Sequence, residues 1–215
     1  MPLKEDVFTF GLDGNEFAAM HLEIQDRSRP KAEFVSAGKP VIGICNGFQA
    51  LVKSGILPFS SPTVPAGLSS FATLTFNQCG HFECRWVTLK PVSQACIWTR
   101  GLDELVDCPV AHGEGNFVAR DPSVLAELRA SDQVALTYVC RDGSPANGAY
   151  PVNPNGSLLD LAGVCNPAGN VLGLMPHPED NVSPFQHPNW GRGVHNAPNS
   201  GLPLFQNGVR YAQGI

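Results

Sequence analysis

The period of the hydrophobic pattern changes near residue 45. Val41–Ile44 is a short apolar run rich in β-branched residues, which predicts a buried strand. Within residues 48–52 the apolar positions recur at helical spacing, and Gly55 and then Pro58 predict where that helix ends. The pattern therefore predicts a strand that leads directly into a helix, with Cys45 at the junction.

The same two periods predict further elements along the chain. Ser70–Phe76 and Phe82–Leu89 alternate like two antiparallel strands joined by a polar turn at residues 77–80. Leu161–Cys165 and Val171–Met175 flank a turn rich in Asn, Pro and Gly and predict a hairpin. The remaining predicted elements are strands at Val7–Phe10, Leu105–Val110 and Val134–Cys140, and helices at residues 16–25, 31–37, 122–129 and 202–211.

These elements predict a single α/β domain over residues 1–215, with a mostly parallel sheet and flanking helices. A strand that is apolar throughout, like Val41–Ile44, usually lies inside such a sheet and needs a neighbour on each side. Only the weak strand Val7–Phe10 precedes it. We therefore expect that the part of the fold before Val41 is shorter than such a sheet usually has.

Composition and charge argue against several classes of function. The formal net charge of −5 argues against a general nucleic-acid binder, which needs a basic surface. No apolar run approaches membrane-spanning length, and residues 1–6 do not form a signal peptide. The seven cysteines include no Cys-x-x-Cys pair, so we expect reduced thiols in a cytoplasmic protein and neither a disulfide framework nor a structural zinc site.

Cys45 is the candidate nucleophile. It lies between Gly43 and Gly47 in a Gly-x-Cys-x-Gly arrangement, the layout of a nucleophile elbow with sulfur in place of a hydroxyl. Glycines permit the sharp turn, and a helix N-terminus favours the negative charge of a thiolate. The alternative is that Cys45 is a small buried hydrophobic residue, which is the commoner role of a lone cysteine.

His177 and Glu179 are the candidate base and its orienting partner. They follow the predicted strand Val171–Met175, and the prolines around them favour an extended backbone that turns residues two apart to the same side. The carboxyl ends of parallel strands meet at one edge of a sheet, so Cys45 is expected beside them. A polar loop is the alternative for this segment alone, but the order Cys, His, Glu matches nucleophile, base and orienter.

Two other groups of residues have weaker functional interpretations. His112 and Glu114 are two residues apart, but a metal site there lacks further ligands with suitable spacing. Arg85 is a candidate for binding a carboxylate, and an ordinary surface ion pair is an equal alternative. No metal ligands are therefore assigned from the sequence.

Four segments together resemble the class I glutamine amidotransferases, in particular the glutaminase subunits of phosphoribosylformylglycinamidine synthase. The segments occur in one order and carry the sequences Gly-Ile-Cys-Asn-Gly-Phe-Gln at 43–49, Ala-His-Gly-Glu-Gly at 111–115, Asn-Pro-Asn-Gly-Ser at 153–157 and Gly-Leu-Met-Pro-His-Pro-Glu at 173–179. Residues 82–87 also look like a central strand of that family. The resemblance covers about residues 8–213.

The resemblance implies hydrolysis of L-glutamine to glutamate and ammonia. Cys45 would attack the side-chain amide, His177 would protonate the leaving ammonia, and Glu179 would hold His177. The backbone amide of Asn46 would contribute to the oxyanion hole, and Gln49 would line the glutamine pocket, with Arg85 a candidate for the α-carboxylate.

The resemblance also implies partners. The ammonia would pass to a synthetase subunit that converts formylglycinamide ribonucleotide to the amidine, with a small accessory subunit as a further possible component of the complex. ATP and magnesium are expected on the synthetase. This chain itself carries no phosphate-binding Gly-x-x-x-x-Gly-Lys-Ser/Thr motif.

The chain departs from the family pattern near its start. Lys4-Glu5-Asp6 stand where the family has Pro-Gly-Gly, which supplies one oxyanion-hole amide, and the upstream strands and helices are not recognised. Loss of one such donor costs on the order of a hundred- to a thousandfold in rate. We expect an N-terminally truncated member. The alternatives are an inactive partner of the synthetase and a cysteine hydrolase acting on another amide.

Overall fold

The computed structural model describes residues 8–10, 33–59, 71–192 and 199–214. The strands are β1 Phe8–Phe10, β2 Val41–Ile44, β3 Ala72–Thr75, β4 Glu83–Pro91, β5 Val106–His112, β6 Asn116–Ala119, β7 Val134–Val139, β8 Leu161–Cys165 and β9 Val171–Leu174. The three longer helices are α1 Asn46–Lys53, α2 Pro122–Ala130 and α3 Leu202–Gln213.

Seven of the described strands form one mixed sheet in the order β1-β2-β9-β8-β7-β4-β5. The pairs β1–β2 and β2–β9 are parallel, and the other four pairs are antiparallel. The α/β class predicted from the sequence is confirmed, but the sheet is mixed and not mostly parallel as predicted, because short connections such as the β8–β9 turn pair neighbouring strands antiparallel. Among the described strands, the parallel pairs lie in the half of the sheet that carries Cys45. Ile44 pairs with Leu174, so β2 and β9 end together.

Hydrophobic side chains cover both faces of this sheet. On one face Ile42, Leu172 and Leu174 pack with Trp98 and with Leu204 of α3. The other face is covered by α1, α2 and the small sheet, through a cluster of side chains that includes Phe48, Leu51, Phe117, Leu128 and Val164. Two layers of packing therefore hold β2 rigidly, and residues 41–44 are buried on both faces as their sequence predicts.

Most elements with strong local signals are confirmed. Helix α2 begins at Pro122, and the Asp121 carboxylate accepts a hydrogen bond from the Ser123 amide as its N-cap. Strands β8 and β9 form the predicted hairpin, and β1 matches the strand predicted at residues 7–10. Of the two early predicted helices, residues 33–36 are helical, whereas residues 16–25 lie outside the described part of the chain.

The hairpin predicted from Ser70–Phe76 and Phe82–Leu89 is wrong. Strand β3 pairs with β6 in a separate two-stranded sheet, while β4 pairs with β5 on one side and β7 on the other. Because both edges of β4 are occupied in this way, β3 finds its partner elsewhere. There Leu74 packs in the same buried cluster as Phe117. Alternation predicted both strands correctly but not their pairing.

Within the described residues, no helix is both long enough and apolar enough to cross a membrane.

Candidate active site

Cys45 lies at a strained elbow between β2 and α1. Its backbone has φ 53° and ψ −109°, a conformation that is costly for a residue with a side chain and is typical of functional turns. The Cys45 amide donates to the Leu174 carbonyl oxygen at 2.8 Å, which ties the elbow to β9. A Cβ atom on Gly43 would lie 2.7 Å from the carbonyl oxygen of Gly47, so the elbow requires glycine there.

His177 and Glu179 lie side by side just beyond β9. The Nδ1 atom of His177 is 2.7 Å from Oε1 of Glu179, which confirms the predicted orientation of the pair. The backbone amide of His177 donates to the carbonyl oxygen of Pro109 on β5 at 2.9 Å. A carboxylate on Nδ1 leaves Nε2 as the nitrogen that exchanges protons with a substrate.

The His177 ring holds its proton strongly. Burial lowers the pKa of His177, but its interactions with the Cys45 sulfur and the Glu179 carboxylate outweigh that effect and raise the pKa to about 10. At neutral pH the ring is therefore an imidazolium. Cys45 and Glu179 thus both interact with His177, and the assignment of the three as nucleophile, base and orienter stays a prediction.

No bond of ordinary geometry joins the thiol to His177. The Nε2 atom is buried and lacks a hydrogen-bond partner among the described residues, and the sulfur of Cys45 lies 3.9 Å from the carbonyl oxygen of Ala111. Catalytic hydrogen bonds are often long without substrate and tighten when it binds. The arrangement leaves Nε2 available to a group bound at the thiol.

Asn46 and Gln49 lie on the first turns of α1. Asn46 is the first residue of the helix, at the end where the helix dipole favours negative charge. Gln49 is buried, and its Nε2 donates to the carbonyl oxygen of Glu114 at 2.9 Å. Gln49 therefore fixes the loop at residues 113–115 against the helix that carries Cys45.

His112 and Asn77 hold the other side of that loop. The amide nitrogen of Asn77 donates to the carbonyl oxygens of His81 and His112, so its Oδ1 is left to accept from Gly115 N at 3.0 Å and from His112 Nδ1 at 3.1 Å. Burial, together with the charge of nearby His177, lowers the pKa of His112 to about 4. His112 is therefore a neutral, structural histidine at pH 7.

Arg85 forms a network with Glu83 and Tyr150. Its Nε donates to the Glu83 carboxylate, and its terminal nitrogen donates to the Tyr150 hydroxyl at 2.7 Å. The guanidinium also lies 4.9 Å from the centre of the Tyr150 ring. The ion pair that the sequence left open for Arg85 is therefore present, and its assignment to substrate binding stays a prediction.

His112 and Glu114 belong to neither of the groups that bring three candidate ligand atoms together within the described residues. Of these two groups, one comprises His177, Glu179 and Asp180, and the second comprises Cys79, His81 and Glu83. The first group contains the pair already described beside Cys45.

Sequence interpretation missed Asn77 and Tyr150. Asn77 belongs to a polar turn that looked like an ordinary connection, and Tyr150 is separated from Glu83 by 67 positions. The only signal at Asn77 was an amide side chain inside a predicted hairpin turn. Nothing local distinguishes Tyr150.

Comparison with known proteins gives one consistent result. Residues 12–212 match the model of the CobB/CobQ-like glutamine amidotransferase domain. Phosphoribosylformylglycinamidine synthase subunit PurQ of Treponema denticola is 54% identical over 160 residues, which cover 70% of this chain and 59% of the relative. The PurQ subunit of Methanococcus maripaludis strain C7 is 36% identical over 189 residues, covering 83% of this chain and 68% of the relative.

A solved structure agrees with these relatives. The structure of PurLQS from Thermotoga maritima matches with a TM-score of 0.67 and 27% identity, over 96% of this chain and 79% of the matched one. The chain spans 59% and 68% of the length of the two PurQ relatives.

Proposed function

Because the chain belongs to the CobB/CobQ-like glutamine amidotransferase family, and within it to the PurQ proteins, we propose that it hydrolyses L-glutamine to glutamate and ammonia. The observation that carries the proposal is that Cys45, on a strained elbow, interacts with a His177 ring held by Glu179. A thiolate, an imidazolium and an orienting carboxylate are the groups that acyl transfer from an amide requires.

The first half of the reaction forms a thioester. The Cys45 sulfur attacks the side-chain carbonyl carbon of glutamine, and the electron pair of the C=O bond moves onto the oxygen. As this intermediate collapses, His177 gives its Nε2 proton to the departing nitrogen, and ammonia leaves. The pKa of about 10 ensures that His177 carries this proton at neutral pH.

The second half releases glutamate. His177, now neutral, takes a proton from water at Nε2, and the resulting hydroxide attacks the thioester carbon. The carbon–sulfur bond breaks and the sulfur of Cys45 leaves as a thiolate. Throughout, Glu179 accepts the Nδ1 hydrogen bond and stabilises the charged ring.

The oxyanion formed in both halves needs hydrogen-bond donors. The backbone amide of Asn46 is the proposed donor, since it directly follows the nucleophile and lies at the N-terminus of α1. Gln49 is proposed to line the glutamine pocket by fixing the loop at residues 113–115, to which its side chain donates. Arg85 remains a candidate for the substrate α-carboxylate.

The ammonia is proposed to serve a synthetase partner in a multisubunit complex. The relatives are named phosphoribosylformylglycinamidine synthase subunit PurQ, and the matched solved structure is named PurLQS. On this proposal the synthetase holds ATP and magnesium, a small accessory subunit completes the complex, and the pathway is purine biosynthesis in the cytoplasm. The chain itself is proposed to use no cofactor in hydrolysis.

Ammonia release from glutamine tests the proposal, with and without a PurQ-dependent synthetase. We expect turnover that Cys45→Ala abolishes and that Cys84→Ala, which removes an exposed thiol on β4, leaves intact. Binding to the synthetase with no turnover would instead favour a role as a non-catalytic partner. Release of ammonia from other amides but not from glutamine would indicate a different hydrolase.

A further inference from the structure

A second cluster of metal-ligating side chains lies in the turn that leads into β4. Cys79, His81 and Glu83 each direct one ligand atom into the same space, with all three atoms within 4.8 Å of one another. We propose that these residues form a zinc-binding site. The residues alternate along the chain, a spacing that a search for Cys-x-x-Cys pairs does not detect.

The distances suit a small cation. The His81 Nε2 atom lies 2.8 Å from Glu83 Oε1, and the Cys79 sulfur lies 3.5 Å from the same oxygen. Zinc bonds to nitrogen and carboxylate oxygen are about 2.0–2.2 Å long, and those to sulfur about 2.3 Å, so tetrahedral ligands lie roughly 3.4–3.7 Å apart. The His81–Glu83 separation of 2.8 Å must widen, which the exposed His81 ring allows by moving outward.

Hydrogen bonding prepares His81 to act as a ligand. Its Nδ1 lies 3.0 Å from the carbonyl oxygen of Cys79, an acceptor, so Nδ1 carries the proton. The Nε2 lone pair then faces the carboxylate of Glu83, and two such acceptors at 2.8 Å require a cation between them. A metal ion between these two atoms meets this need, and the hydrogen bond from the other ring nitrogen to a backbone carbonyl gives the orientation typical of ligating histidines.

The Glu83 carboxylate is buried and held in place by neighbouring side chains. Arg85 donates to Oε2 of Glu83, so Oε1 is the oxygen that faces the cluster, where the Tyr150 hydroxyl also donates to it at 3.0 Å. These outer hydrogen bonds fix the carboxylate without occupying the ligand positions of Cys79 and His81.

The ligand set points to zinc. Thiolate, imidazole and carboxylate together suit Zn²⁺ better than magnesium or calcium, which prefer oxygen ligands throughout. Cys79 also lines a cavity of about 240 Å³, which offers room for a water molecule as the fourth ligand. Zinc ligands bind in their deprotonated forms, so the affinity for the ion should fall as the pH falls.

Asn77 connects the proposed zinc site to the loop beside Cys45. The Asn77 side chain donates to the His81 carbonyl oxygen at 3.0 Å and also accepts the hydrogen bonds of Gly115 and His112. A metal that fixes residues 79–83 therefore stabilises the loop to which Gln49 is bonded. The proposed zinc site does not depend on whether the chain hydrolyses glutamine.

The test measures binding of Zn²⁺ and Co²⁺ to the full chain carrying Cys45→Ala and His177→Ala, so that the other candidate cluster cannot contribute. We expect one equivalent of Co²⁺ to give the near-ultraviolet charge-transfer band of a thiolate ligand. Cys79→Ser should abolish this band, while Cys84→Ser, the matched loss of a nearby exposed thiol, should retain it. Zn²⁺ should raise the melting temperature, and a chelator should reverse the rise.

Two further variants separate a metal site from an ordinary ion pair. His81→Ala removes an exposed side chain, which leaves the fold intact, and should weaken Zn²⁺ binding by about a hundredfold or more. Tyr150→Phe removes an outer hydrogen bond and should weaken binding by roughly tenfold. A cobalt band that survives in Cys79→Ser, or zinc affinity unchanged in His81→Ala, would overturn the proposal.

Discussion

The side chain of Gln49 joins the helix that follows the nucleophile to the loop opposite it, because its Nε2 donates to the carbonyl oxygen of Glu114 at 2.9 Å. Both ends of this bond lie close in sequence to other parts of the site. Gln49 is one helical turn beyond Cys45, and Glu114 is two residues beyond His112. The bond therefore couples the elbow to the loop that is proposed to line the glutamine pocket.

Replacing Gln49 tests that coupling. Gln49→Glu removes the buried donor and places an acceptor against a carbonyl oxygen, at a cost of about 1–3 kcal/mol or more. We expect kcat/KM for glutamine to fall by about tenfold or more, with a rise in KM. Steady-state kinetics of ammonia release measure both parameters. Gln206→Ala on the exposed side of α3 is the control, and equal kinetics in the two variants would contradict the coupling.

Gly43→Ala tests the strain at the elbow. The added Cβ would lie 2.7 Å from the backbone oxygen of Gly47, so the start of α1 must shift. We expect a loss of about 1–3 kcal/mol in the free energy of unfolding, together with a large fall in kcat. Gly191→Ala is the matched control, since nothing lies within 4 Å of a Cβ there. Retained activity in Gly43→Ala would show that the elbow tolerates a side chain.

The raised pKa of His177 predicts that the protein becomes less stable above neutral pH. Its pKa is raised from 6.5 to about 10 in the folded chain, so its contribution is complete below pH 6.5 and is lost as the pH rises toward 10. The free energy of unfolding should therefore fall across this window with a slope of at most about 1.4 kcal/mol per pH unit from this group. Urea unfolding at several pH values measures the slope. Cys45→Ala should flatten it, because the sulfur contributes to the shift, and an identical slope in the variant would refute this assignment.

The lowered pKa of His112 predicts that the protein becomes less stable as the pH falls below 6.5. Its pKa is lowered to about 4 in the folded chain, so the unfolded chain binds the proton first as the pH falls below 6.5. Stability should decline between pH 6.5 and pH 4. The variant His112→Gln, which cannot titrate, should lose part of that decline when unfolding is followed by urea titration. A decline of unchanged size would assign it to other groups.

The parts of the site predicted from sequence depend on short-range signals. Gly43, Cys45 and Gly47 define the elbow within five residues, and the two prolines near His177 orient it toward Glu179. Similarly, the turn at residues 166–170 determined the β8–β9 hairpin. In each case the contacting groups lie close in sequence, so local backbone preferences suffice.

The parts that were missed depend on long-range packing. The pairing of β3 with β6 joins segments about 40 residues apart, and alternation carries no information about the partner. The same holds for Asn77, whose partners His112 and Gly115 lie 35 and 38 positions away. Tyr150 reaches Glu83 across a still longer separation. Only the assembled sheet brings these groups together.

Covalent labelling measures the central claim, that Cys45 is the nucleophile for glutamine. In a glutamine analogue with a diazomethyl ketone in place of the carboxamide, the diazo carbon takes up a proton and a thiolate then displaces N₂ from it, which leaves a stable thioether. Mass spectrometry of the intact chain and of its peptides should show one label per chain, located on Cys45, with slower labelling in His177→Ala. Labelling on another of the seven cysteines, or glutamine hydrolysis that persists in Cys45→Ala, would contradict the mechanism.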